Sequence, residues 1–183
     1  MIGIIDNIPF FTHLRRHNME NKLYEKLKEL EIEIERQEHE AVFTIEEILK
    51  LDVRLDGVGL KNLFVKDKFD NRYMVVVLEE KRVDLKKLKE NLDLNKLSFC
   101  KPEELINILK IEPGSVTPLA VINDENNEVT IILDEEMKDH DLLVHPLVNT
   151  ATVKINFNDL IKLFKDQKTN YIVTNIPEKQ EQA

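Results

Sequence analysis

The chain has 183 residues, of which 42% are apolar, enough for one domain with a substantial buried core. Its single cysteine, Cys100, excludes an intramolecular disulfide and a cysteine-built zinc site; no apolar run suits a membrane-spanning helix, and no charged start leads into a long apolar stretch, so a cytoplasmic protein is expected. A net charge of −9 argues against a generic nucleic-acid binder, which is normally basic.

Residues 1–18 mix apolar and basic side chains without a clear period and read as an extension. Met19 opens a helical pattern, with Leu23, Leu27 and Leu30 at helical spacing. From Glu31 the period changes to two, Ile32 and Ile34 alternating with glutamates, which predicts a half-buried strand. Thr44 and Glu47 form a capping box for a short helix to about Leu49. Residues 60–66 and 72–78 read as strands joined by the polar turn Asp67–Asn71. Asp84 is placed to cap a helix carrying Leu85, Leu88 and Leu92, and Pro102 opens another with Leu105, Ile106 and Leu109. Strands are expected at 118–122, 129–133, 142–147 and 150–155, with Asn123–Asn127 as a hairpin turn. A last helix covers 157–166, with Phe157, Leu160, Ile161 and Phe164 on one face, before a short strand Tyr171–Val173. The expected organisation is one domain over 19–175 and a polar tail at 176–183. Some seven strands and five helices in irregular order predict an α+β domain rather than regular βαβ winding.

The common catalytic signatures are missing: no Gly-x-Ser-x-Gly elbow, phosphate-cradling glycine loop, His-Glu-x-x-His or Cys-x-x-Cys. Three local features remain. Gly57-Val58-Gly59-Leu60-Lys61-Asn62 places two glycines and a Lys-Asn pair in an apolar strand, although a lysine there also reads as facing water. Glu112-Pro113-Gly114-Ser115-Val116-Thr117-Pro118 is stiffened by its prolines, and Gly114 can take a positive φ; such a loop can offer N–H groups to an oxyanion, or simply connect a helix to a strand. His145 precedes Pro146, which biases it toward an extended backbone; a lone histidine on an apolar strand is also compatible with a core role. Residues 54–101 hold twelve Lys/Arg against eight acids, a local net charge of +4 on a chain that is otherwise −13. That face can hold a few phosphates, and the same lysines also read as solvated surface.

In this order the segments resemble the YbaK/prolyl-tRNA synthetase editing-domain family. Gly-Leu-Lys-Asn-Leu-Phe-Val-Lys-Asp at 59–67 matches its lysine motif, and Leu-Ser-Phe at 97–99 precedes its helix. Pro-Gly-Ser-Val-Thr-Pro at 113–118 matches its glycine-to-proline loop and His-Pro-Leu-Val-Asn-Thr at 145–150 its histidine segment, while residues 39–47 also fit. The likeness covers about 20–173, and the last segment favours the branch of free-standing alanyl-tRNA(Pro) deacylases.

The resemblance implies a mixed, mostly antiparallel sheet curled into a partly open barrel with flanking helices. It also implies a metal-free, cofactor-free hydrolase that removes a wrong amino acid from tRNA, most readily alanine from tRNA(Pro), with cysteine, serine or threonine as alternatives. A non-catalytic module that senses an amino acid or a charged tRNA is the other class. Mischarged tRNA is the implied partner, with prolyl-tRNA synthetase or an elongation factor as candidate helpers and no membrane. By the same resemblance Lys61, Gly114 and His145 are the catalytic candidates, with His145 positioning first and moving protons second. Asn62, Ser115, Val116, Thr117 and Pro118 are the substrate-binding candidates, and no metal ligand is implied. His39 and Thr44 fall in a family motif, Thr44 being explained by capping.

Overall fold

The structure is a computed structural model in which residues 8–41 and 54–179 are described, with backbone only for 8–17. The expected helix at Thr44–Leu49 lies outside the described residues.

Helix α1 spans Ile8–Glu29 and runs unbroken through Met19, so the change of side-chain pattern there is not a change of backbone. It ends where alternation predicted a strand. Glu31 takes a left-handed φ of 53°, its N–H bonds to Lys28 O, and Ile32 N–H reaches back to Leu27 O at 2.9 Å. This is a Schellman termination, in which the apolar residue after the left-handed position returns to the helix; Ile32 is accordingly buried. Strand β1 therefore begins later, at Glu35–Glu38.

Strands β2 (Val58–Lys66) and β3 (Arg72–Leu78) form a hairpin as expected. Helix α2 (Leu85–Asn91) is capped by Asp84, whose carboxylate accepts from the Lys86 and Lys87 N–H groups. The two-residue strand β4 (Ser98–Phe99) precedes helix α3 (Pro102–Leu109). Strands β5 (Val129–Asp134), β6 (Asp141–Val144), β7 (Ala151–Asn156) and β8 (Tyr171–Thr174) and helix α4 (Phe157–Asp166) complete the chain.

Three expectations change here. Residues 118–122 are not a strand but part of a 3-10 helix, Pro118–Asn123. Pro118 has no N–H for a ladder, the Thr117 hydroxyl accepts from Leu119 N–H, and every residue of the turn is buried. An apolar run enclosed on all sides carries no period to separate helix from strand. Asn123–Asn127 is a turn but not a hairpin, because β5 runs parallel to both of its neighbours. The Asp124 carboxylate holds it by accepting from the Glu128 and Val129 N–H groups. Strand β6 stops at Val144, and residues 145–150 turn the chain toward β7.

The eight strands form one mixed sheet in the order β1-β7-β6-β2-β3-β5-β8, with β4 also on β2. Four pairings are antiparallel and three parallel, and the end strands β1 and β8 do not pair, so the sheet is not closed. One face packs on α1, α3, the 3-10 turn and α4 through Leu23, Leu109, Leu119, Leu160 and Phe164. The other carries a smaller cluster of Val65, Val75, Val77, Leu88, Ile132 and Ile176. Strand β3 is buried on both faces, which accounts for its unbroken apolar run. The chain beyond β8 is tied down as a strap: Asp84 N–H bonds to Pro177 O at 2.8 Å, and Lys179 N–H to Arg82 O at 2.7 Å.

Candidate active site

The lysine motif lies where the sheet divides. Strand β2 pairs with β6 only at Val58 and Gly59, and with β4 only at Val65 and Lys66. Between these contacts, on the side away from β3, no described strand covers it. Side chains alternate along a strand, so Lys61 and Asn62 leave this uncovered stretch on opposite faces. Lys61 shares the face of Val65 and of its register partner Val77, and Asn62 shares that of Phe64.

Asn62 reaches the glycine loop. Its Nδ2 donates to Val116 O at 2.9 Å, and its Oδ1 is buried without a hydrogen-bond partner. In the loop, Gly114 has φ 89°, the positive region that glycine can take. Ser115 N–H is committed to Glu112 O at 3.0 Å. Ser115, Thr117 and Pro118 are buried, and the cap on Leu119 accounts for the Thr117 hydroxyl. Gly114 and Val116 are the half-exposed residues of the loop.

Lys61 takes a different path. Its Nζ donates to Glu79 O at 2.9 Å, beside a cleft of about 560 Å³ whose lining includes Gly57, Gly59, Glu79, Lys81, Glu136 and Glu178. Burial pushes the Lys61 ammonium below its ordinary range; Glu178 and Glu79 oppose this and Arg82 adds to it. A Cβ at Gly59 would lie 2.2 Å from the Glu79 carboxylate, so any larger residue there would turn that side chain out of its place on the cleft. Lys81, 8% exposed, bridges the fully buried Asp134 at 2.6 Å and Glu136 at 3.0 Å, closing one wall. Sequence reading missed Glu79 and Glu178. The first follows an apolar strand and the second stands in a polar tail, and neither position carries a local signal.

His145 lies in the turn after β6, with Nδ1 3.0 Å from Ala151 O. A carbonyl only accepts, so Nδ1 carries the proton and Nε2 keeps its lone pair. Burial lowers its pKa from the ordinary 6.5; the Ala151 carbonyl opposes this, and His39 adds to the lowering. The His39 ring lies 6.2 Å from it, centroid to centroid, with Nε2 3.0 Å from Thr152 Oγ1. The structure thus joins Asn62 to the glycine loop and His145 to His39, and places Lys61 on the Glu79 cleft without a hydrogen bond to either group.

Comparison with known proteins bears on this arrangement. The sequence profile described as the aminoacyl-tRNA editing domain matches residues 39–163, more than half of the chain. The chain belongs to the aminoacyl-tRNA editing-domain family. It is 39% identical over 142 residues to the prolyl-tRNA editing protein ProX of Acetoanaerobium sticklandii, covering 76% of this chain and 87% of that one. It is also 33% identical over 159 residues to the prolyl-tRNA synthetase associated domain-containing protein 1 of Danio rerio, covering 85% and 86%. A solved structure proposed as a trans-editing enzyme for prolyl-tRNA synthetase superposes with a TM-score of 0.68 over 88% of this chain and 98% of that one. At 17% identity, that likeness speaks for the fold alone.

Among the described residues no group of three or more His, Cys, Asp or Glu is placed to hold a metal ion. No described helix is long and apolar enough to cross a membrane. Cys100 is half-buried, and burial, with Glu104 nearby, pushes its thiol up to about 11, far from a reactive thiolate.

Proposed function

We propose that this editing domain is a free-standing deacylase that removes alanine from mischarged tRNA(Pro). The reading is carried by the Asn62–Val116 hydrogen bond, which ties the lysine motif to the glycine loop, and it is supported by the likeness to ProX. Water attacks the ester carbonyl, and the carbonyl oxygen becomes an oxyanion. The bond to the terminal ribose then breaks, with the ribose oxygen taking a proton, to leave free alanine and tRNA. Ser115 N–H is engaged and Thr117 is buried, so the half-exposed Gly114 and Val116 offer their N–H groups to the oxyanion. Lys61 supplies the fixed cation, and neutral His145 offers Nε2 to a hydroxyl or water. The working unit is residues 19–175 together with the strap at 176–179, because Glu178 lines the cleft. A cytoplasmic setting fits this substrate, and a synthetase or elongation factor would present it.

The test offers the protein tRNA(Pro) charged in turn with Ala, Cys, Ser and Pro. Alanine is expected to be released fastest and proline not above buffer hydrolysis; no release of any of them would sink the reading.

The histidine sets the acid limit. A lowered pKa means that His145 stays neutral at pH 6.5 and gains its proton only further down. The unfolded chain binds that proton first, so stability is also lost as pH falls through about 6.5 toward the folded value. The pH–rate profile should therefore show an acid limb below 6.5 that His145→Asn removes; a limb centred above 6.5 would contradict the assignment.

A further inference from the structure

We propose that the β2–β3 turn and strand β4 form a docking surface for the RNA of the charged substrate, with Phe69 and Phe99 as stacking platforms and Lys68 and Lys101 as phosphate contacts. Among the described residues Phe69 and Phe99 are the most exposed large apolar side chains, at 66% and 64%. Both stand at the end of β2 away from Gly59. Phe99 is the register partner of Val65, and Phe69 sits in the turn that leaves β2 after Lys66. Asn95, just before β4, hydrogen-bonds to Asp67 of that turn, so the two segments lie side by side.

The nearby charges favour an anion. Lys66 is taken up by Asp70 and Glu104, and Arg72 by Glu104 and Glu128. Among the described residues Lys68 has no carboxylate partner, and it lies over the Phe69 ring, 4.7 Å from its centroid. Lys101, at the cap of α3, is exposed and also without an ion pair among the described residues. Exposed rings interleaved with unpaired cations suit unpaired nucleotides, whose bases stack while their phosphates meet the lysines.

The surface is also in line with the site. Phe99 shares the face of Lys61 through Val65, and four residues of strand separate Lys61 from Val65 by about 13 Å. A nucleic acid whose charged end sits at Lys61 would follow the edge of β2 left open between β6 and β4, beside the cluster that buries Val65, to reach these rings. The inference rests on the deacylase reading for the direction of the RNA, so its test has to separate the two.

Two double variants, Phe69→Ala/Phe99→Ala and Lys68→Glu/Lys101→Glu, are compared with the unaltered protein on alanyl-tRNA(Pro) and on 3′-alanyl-adenosine. Binding of uncharged tRNA(Pro) is measured against salt. Both variants are expected to raise KM on the tRNA about tenfold or more and leave hydrolysis of the short ester unchanged. The lysine variant should also give a shallower salt dependence. Equal activity of variants and parent on tRNA would overturn the surface and leave the deacylase reading standing. If the parent cleaves neither substrate, that reading fails, and the surface is judged on uncharged tRNA alone, where unaltered binding overturns it. A change of oligomeric state in the aromatic variant with unaltered RNA binding would also overturn it, marking a protein interface.

Discussion

Replacing Lys61 by methionine is expected to lower kcat/KM on alanyl-tRNA(Pro) by about 10²–10³-fold, the usual loss when one preorganised electrostatic group is removed from an acyl-transfer site. Stability should move by no more than about 0.5 kcal/mol. The ammonium makes one hydrogen bond, to Glu79 O, and burial already disfavours its charge. Methionine keeps the apolar stem on the Val77 side of the sheet and discards only the cation. Because burial lowers the Lys61 pKa from its ordinary 10.5, the rate should also fall at alkaline pH before that value is reached. Steady-state kinetics with a parallel thermal melt check both parts; a methionine variant that turns over normally would remove Lys61 from the site.

The other large effect is on stability. Asp134→Asn should destabilise the fold by about 3–5 kcal/mol, the range for breaking one side of a buried ion pair. That corresponds to a drop in Tm of roughly 10 °C for a chain of this length. Asp134 is fully buried at the end of β5, and Lys81 is nearly so. Removing the carboxylate charge leaves the Lys81 ammonium facing Glu136 alone, half-exposed on the cleft wall. The double variant Lys81→Met/Asp134→Leu should recover most of the loss, since no buried charge is then stranded. Urea unfolding of the three proteins measures this, and a single variant as stable as the parent would show that the pair carries little.

Such a pair is invisible to sequence reading, since its partners stand 53 positions apart in the chain. What could be read was local. The β2–β3 hairpin, the Asp84 cap, Pro102 at the start of α3 and the whole of α4 follow from period, caps and turn residues acting over a few positions. Misreadings came where a signal had two physical sources. The alternation at Glu31–Glu35 is the exit of a helix, and Leu119–Ile122 is apolar because it is enclosed, whatever its backbone. The candidate site could be picked out by its motifs but not given a geometry. Lys61 and Asn62 read as a pair, yet strand alternation sends them to opposite faces; His39 drew only passing notice, and its neighbour His145 is joined to it by the pairing of β1 with β7.

The strap at 176–179 has a bearing on how the protein is made. Of the described elements it leaves the ribosome last, and it delivers both Ile176 to the second core cluster and Glu178 to the cleft. Strand β8, on which β5 depends for its outer edge, emerges only shortly before it. Most of the sheet can pair during synthesis, but the cleft beside Lys61 is unfinished until the strap has followed. A nascent chain whose strap has not yet emerged would therefore carry this cleft without its Glu178 wall.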